Sequence, residues 1–378
     1  MYLVILGGMV FCLAASLYWL TGRWLSFYGI CVRKWNIRLL RFGIVLLVVF
    51  LCRTWSMAGV IVGHLLALFV LVEFAAIVIR RGGKRHKEET WYRVLGSIYR
   101  SGLIPVVITC LLLGYGYYNM GHIVRTEYNI VTDKLHNDYK VVLITDIHYD
   151  TIQSPDILKN KIEEINVLNP DVIVLGGDIV EEGTSKASMQ EVFRVLGGLK
   201  STYGTYYVYG NHDRQLYADV TSHSRKYTEQ ELVQAIETNG ITILCDDWVP
   251  VGDELILAGR EDASYTSGRA SVKALLENAD RKRFIIVADH QPVEAEENAA
   301  QKVDLVLSGH THAGQIFPTG YFTEWFFSPN YGKYQEDECS IVVSSGAAGW
   351  GFPVRTQGKC EYVVIHIIKE GKTYGNSE

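Results

Sequence analysis

Hydrophobic and polar positions divide the chain near residue 120. Before that point apolar residues run in long blocks, and after it they come in short runs broken by turn residues. Residues 1–20, 57–79 and 101–120 are each long enough to cross a bilayer core of about 30 Å. Residues 42–52 (FGIVLLVVFLC) are apolar but short, and span only if Arg38 or Arg41 at one end and Arg53 at the other snorkel to the interface. The pattern predicts an all-α transmembrane anchor over 1–122, with three helices and room for a fourth. Residues 1–20 lack the basic leader and small-residue cleavage site of a secretory signal, which favours an anchor over a cleaved signal.

From Tyr128 onward the period changes. KVVLITDIH (140–148), DVIVLGGD (171–178), TYYVYGNHD (205–213), FIIVADH (284–290) and VDLVLSGHTH (303–312) are β-branched runs bounded by turn residues, as are SIVVSSG (340–346) and EYVVIHII (361–368). Such runs read as buried strands. Between the first two, Ile157, Leu158, Ile162, Ile165 and Leu168 recur at helical spacing, opened by Pro155 and stopped by Pro170. Residues 228–239 predict a second helix, with Thr228 at its N-cap and Glu231 three places on. Strands alternating with helices predict an α/β domain over 123–378 with partly parallel strands.

Charge sharpens the division. Residues 1–120 hold 13 Lys and Arg against three acids, leaving 23 basic and 38 acidic residues for the rest, so the two parts carry formal charges of +10 and −15. An acidic second part argues against non-specific nucleic-acid binding, which requires a basic surface. The loops 21–41 and 80–100 are rich in Lys and Arg, and short basic loops stay in the cytoplasm. That rule puts everything after Met120 outside the cell membrane of a multi-pass protein. Glu73 and His64 fall inside a predicted span without an obvious shared face, and read as interfacial or structural groups. The seven cysteines contain no CxxC pair, so a zinc knuckle or redox motif is not indicated; a disulfide among Cys245, Cys339 and Cys360 stays open.

Five predicted strands end in polar clusters: Asp146 and His148; Asp178; Asn211, His212 and Asp213; His290; His310 and His312. In α/β sheets function gathers beyond the strand ends. Imidazole and carboxylate together suit Mn, Fe or Zn better than Mg or Ca. Two such cations about 3.5–4 Å apart can clamp the attacking and leaving oxygens of a phosphoryl group and acidify bound water.

The ordered set DIH, GGD, GNHD, ADHQP and SGHTHAGQ resembles the calcineurin-like metallophosphoesterase family over residues 140–368, and GHTHAGQIFP with VSSGAAGWGFPVR resembles its bacterial membrane-associated branch. The resemblance implies a four-layer fold of two packed mixed sheets flanked by helices. It implies that Asp146, His148 and His312 bind one metal, that Asn211, His290 and His310 bind a second, and that Asp178 bridges them. His212 would be the general acid or phosphate-binding imidazole, oriented by Asp213. Ala313 stands where the family usually has glycine, and Glu181, three after Asp178, is expected to support a ligand rather than to be one.

Three further residues are candidates for substrate contact: Arg260 after the ELILAG run, since guanidinium matches phosphate oxygens, with a surface salt bridge as its alternative, and Trp350 and Arg355, which would border the site from the late Gly-rich loop. The aromatic stretch 321–331 is expected to be core, with a lipid-tail entrance as its alternative. The expected activity is hydrolysis of a P–O bond by metal-activated hydroxide at the outer face of the membrane, on a lipid or envelope phosphate or diphosphate. The alternatives are a broad phosphomono- or diesterase acting on soluble substrates, and a non-catalytic membrane sensor that keeps the metals for structure.

Overall fold

Alternation with a period of two governs the strands after residue 120. In β2 (Tyr139–Ile144), Val142 and Ile144 enter one apolar cluster while Val141 and Leu143 enter another. In β3 (Val172–Leu175), Ile173 and Leu175 join the first cluster and Val172 and Val174 the second. A strand apolar on both faces requires cover on both.

The structure, a computed structural model, describes residues 2–51, 57–82, 90–218, 224–265, 268–324 and 328–370. It supplies that cover with two six-stranded mixed sheets. One has the order β1 (Ile123–Thr132), β12 (Cys360–Lys369), β2, β3, β4 (Thr205–Tyr207), β5 (Ile241–Ile243). The other has the order β10 (Gly332–Glu336), β11 (Cys339–Val343), β9 (Leu305–Ser308), β8 (Phe284–Ala288), β7 (Leu255–Gly259), β6 (Asp247–Val251). Strands β2 to β5 pair in parallel, as do β7, β8, β9 and β11, while β12 runs antiparallel to β2.

The middle of the sandwich is Val141, Leu143 and Val174 meeting Leu257, Ile286 and Leu305. Outside the first sheet lie α6 (Pro155–Val167), α7 (Lys186–Leu196) and α8 (Glu229–Glu237), which bury Leu158, Ile162, Phe193, Leu232 and Ile236. A third cluster, around Leu275, Leu276, Ile256 and Ile285, closes the far face of the second sheet. The result is the four-layer α/β sandwich implied by the resemblance. Helix α8 carries the expected capping box between Thr228 and Glu231, and Ser154 caps α6 ahead of Pro155. Helix α7 and the short strands β5, β6 and β10 have no counterpart in the sequence reading; the strands have only three to five residues, too short a period to recognise.

The chain divides into two compact units, Met1–Tyr115 and Gly116–Glu378. The first holds α1 (Tyr2–Phe27), α2 (Trp35–Leu51), α3 (Met57–Gly82), α4 (Thr90–Ser101) and most of α5 (Leu103–Met120). Among the described residues two helices are long and apolar enough to cross a membrane, Met57–Ile79 and Leu103–Met120, so this region is suited to anchor the protein. Cys52, Arg53 and residues 83–89 of the basic loop lie outside the described residues. The rest of that loop contains α4, whose Trp91, Val94, Leu95 and Ile98 are exposed. Glu73 pairs with Arg23 and accepts from the Tyr99 hydroxyl at 2.6 Å, and His64 Nδ1 bonds to Val60 O at 2.8 Å. Both ionisable groups are therefore satisfied by neighbouring helix residues.

Candidate metal centre

Five strands stop just short of the polar clusters: β2 before Asp146, β3 before Asp178, β4 before Asn211, β8 before His290 and β9 before His310. Glycines let these loops close up. A Cβ on Gly309 would fall among Asp146 Oδ2 and the Thr145 side chain, and one on Gly210 would meet the Asp178 carboxylate. Without them the His310 N–H donates to Asp146 at 3.0 Å and the His212 N–H to Asp178 at 2.9 Å. The loops are also bent sharply. Asp146, His148, Asp178, His310 and His312 all have φ between 38° and 71°. A non-glycine residue held there costs about 1–3 kcal/mol, a strain that gathers at functional sites.

The side chains form two groups, each with its ligand atoms within 4.8 Å of one another: Asp146, His148 and His312; and Asp178, His290 and His310. Asp178 Oδ2 lies between them, 3.1 Å from His290 Nε2 and 3.7 Å from His148 Nε2. His148 Nε2 and His312 Nε2 face each other at 3.2 Å, two ring nitrogens converging on one point. The Asn211 side-chain oxygen is buried without a hydrogen-bond partner, and His290 Nε2 faces the Asp178 carboxylate. A buried acceptor with no donor fits a cation well.

The electrostatics differ from ligand to ligand: despite its burial, the His290 imidazole is raised by Asp178 and Asp146, while His310 and His312 are lowered. Burial raises the Asp146 carboxyl, and the Asp178 charge adds to the rise. Burial and the neighbouring His290 drop the His310 imidazole to about 3, and burial with His148 and Arg355 holds His312 low. Neutral imidazoles are the form that ligates a metal. His310 and His312 thus join Asp146, His148, Asp178, Asn211 and His290 as residues that could hold two divalent cations.

His212 stands beside these groups with a different environment. Its Nδ1 donates to Glu182 Oε2 at 2.8 Å, the Trp350 ring stacks on it with centroids 5.5 Å apart, and Tyr217 meets it edge-on. Burial would lower its pKa, but the Asp178 charge and the Glu182 bond outweigh that and lift it to about 9.

Three sequence expectations are corrected here. Asp213 does not orient His212: its carboxylate accepts from the N–H groups of Asp178, Ile179, Val180 and Gly210, and so ties two site loops together. Glu182 is the carboxylate on His212, missed because Glu181 drew attention at the family spacing; Glu181 Oε2 lies 3.4 Å from His148 Nδ1 instead. Arg260 is buried, and its guanidinium is engaged by Asp289, Glu294 and the Ala270 carbonyl, so it offers nothing to a phosphate. Arg355 is fully buried as well, donating to the carbonyls of His312, Ser345 and Ala348, so it too does not reach substrate. Trp350 remains at the site through His212. Of the aromatic stretch, Tyr321 is exposed and residues 325–327 lie outside the described residues.

Residues 139–314 match the model of the calcineurin-like phosphoesterases. A metallophosphoesterase of Helicobacter pylori is 32% identical over 272 residues, covering 69% of this chain and 69% of its own length. A Danio rerio transmembrane protein with metallophosphoesterase domain is 29% identical over 331 residues, covering 81% of this chain and 71% of its own. Among solved structures, a dimetal phosphatase from Danio rerio aligns with a TM-score of 0.33 at 14% identity, covering 54% of this chain and 86% of its own. The chain belongs to the calcineurin-like phosphoesterase family, and as such is a metal-dependent phosphoester hydrolase.

Proposed function

We propose that this chain is a dinuclear phosphoesterase that hydrolyses a lipid-linked or envelope phosphate ester or diphosphate at the outer face of a membrane. The observation that carries the reading is the pair of three-residue groups sharing Asp178 between them. Asp146, His148 and His312 would hold one cation, and His290, His310 and Asn211 the other, with Asp178 to both; imidazole with carboxylate favours Mn, Fe or Zn. Bound there, the cations supply Lewis acidity and acidify water at neutral pH.

The chain's own residues do the rest. Glu182 fixes the proton on His212 Nδ1 and turns the ring, leaving Nε2 to deliver a proton to the departing oxygen. Trp350, stacked on the ring, restricts its rotation and limits water on that side. Asp213 holds the Asp178 and His212 loops in register through four backbone N–H groups.

The lipid preference is supported by two apolar helices of membrane length and by relatives named as transmembrane proteins. The outward orientation is supported by the Lys/Arg-rich loops on the anchor. Turnover of a chromogenic phosphodiester by the Mn-loaded protein, compared with Asp178→Asn, tests the activity; equal rates would overturn it. Lipid diphosphates in detergent set against soluble nucleotides test the substrate class, and no preference for the lipid would remove that part.

A further inference from the structure

The Arg355 guanidinium lies fully buried against the candidate ligand His312, and it has a second attachment on the other side. Its Nη1 donates to His312 O at 2.9 Å, and its Nη2 lies 3.4 Å from His312 Nδ1. The same Nη2 donates to Ser345 O at 2.7 Å and Ala348 O at 2.6 Å. The Ala348 N–H in turn donates to Asp146 O at 2.9 Å, so one guanidinium spans the backbone of two candidate ligands for the same cation. Among the described residues no carboxylate pairs with it. A buried cation without a counter-charge is costly, and its carbonyl contacts offset that cost only while the loops keep their shape. His312 itself sits at a φ of 52°, a conformation the surroundings must enforce.

The backbone of Arg355 is held by the last turn of α5. Its N–H donates to Gly116 O at 3.0 Å, and Asn119 Nδ2 donates to Arg355 O at 3.1 Å and Gly358 O at 2.9 Å. Gly116 permits this approach, because a Cβ there would meet the Thr356 side chain and the Arg355 backbone. Met120, buried in the same turn, touches the Cys360 sulfur at 3.7 Å.

We propose that Arg355 is a positioning residue that latches the last turn of α5 to the His312 side of the metal centre, so that the affinity of the Asp146–His148–His312 group for its cation depends on that turn. The inference rests on the two-cation reading above. A guanidinium fork can hold several carbonyls at fixed angles, whereas an ammonium holds one direction at a time. Asn119 contacts none of the candidate ligands; its side chain reaches the centre only through the 355–358 segment, by way of Arg355 O and Gly358 O.

The full-length protein in detergent, stripped of metal and titrated with Co²⁺ while the visible absorption is followed, tests this in wild type, Arg355→Lys and Asn119→Ala. Wild type is expected to take up two equivalents. Both variants should take up the first as wild type does, and bind the second at least tenfold more weakly with an altered visible band. Two equivalents at wild-type affinity and spectrum in both variants would overturn the latch alone. So would loss of both equivalents together with a lowered thermal midpoint of the metal-free protein, which would mark a merely structural role. Wild type that takes up no Co²⁺ would sink this proposal and the two-cation reading together.

Discussion

Glu182 Oε2 accepts the Nδ1 proton of His212 at 2.8 Å, and both side chains are almost wholly removed from solvent. The pair decides which nitrogen of His212 is free. In Glu182→Gln the amide carries no charge to hold the ring protonated and can turn its NH₂ toward Nδ1, so the ring loses its fixed orientation and part of its raised pKa. We expect kcat to fall about tenfold, and about 10²–10³-fold in His212→Asn, with metal content unchanged in both. Loss of metal from either variant would place these residues in the metal shell instead.

Gly309 lies against the Asp146 carboxylate, so that a Cβ there would overlap Asp146 Oδ2. Gly309→Ala inserts a methyl group where Asp146 Oδ2 sits, and overpacking of this kind costs about 1–3 kcal/mol. The carboxylate must swing away, so the protein should fold but lose one equivalent of metal and at least 100-fold of its activity. Full metal content with full activity would show that Asp146 is not a ligand.

Ala313 has a φ of 48°, where an L-residue is strained and glycine is not. Relief of that strain outweighs the added chain entropy of glycine, so Ala313→Gly should stabilise the fold by about 0.5–1 kcal/mol. A thermal midpoint lower than wild type in the metal-free protein contradicts this.

Arg260 and Asp289 are both buried, and Arg269 also reaches Asp289. Removing one partner of a buried pair costs about 3–5 kcal/mol, less here because Arg269 remains. Arg260→Met should therefore lower the denaturation midpoint substantially while leaving KM for a phosphodiester unchanged. A raised KM at unchanged stability would restore the phosphate role expected from sequence.

Cys245 lies at the surface, yet burial of its sulfur and the nearby Glu261 push its thiol up to about 11. The thiolate is the reactive form, and its population rises with pH up to that value. Alkylation by iodoacetamide at pH 8 should be about 20-fold slower than for an ordinary thiol near 8.5, after allowing for the greater nucleophilicity of the more basic thiolate. The rate should keep climbing to about pH 11, and Glu261→Gln should raise the rate at pH 8. A plateau near pH 9 in wild type would refute the shift.

The sequence by itself determined the buried strands of an α/β domain and the candidate ligand residue types at their ends. Unbroken apolar runs such as those of β2 and β3 encode two buried faces, and Asp, Asn and His at the run ends point to metal chemistry, because these are local features of residue order. The tertiary structure decided which carboxylate serves which imidazole. Glu182 and Asp213 stand 30 residues apart or adjacent to His212 in sequence, and neither spacing reveals that the distant one turns the ring while the neighbour binds backbone amides. The same holds for the arginines. Arg260 and Arg355 read as candidates for substrate contact because a guanidinium's chemistry is visible in sequence, but its burial and its carbonyl partners depend on how distant loops pack, which residue order alone does not state.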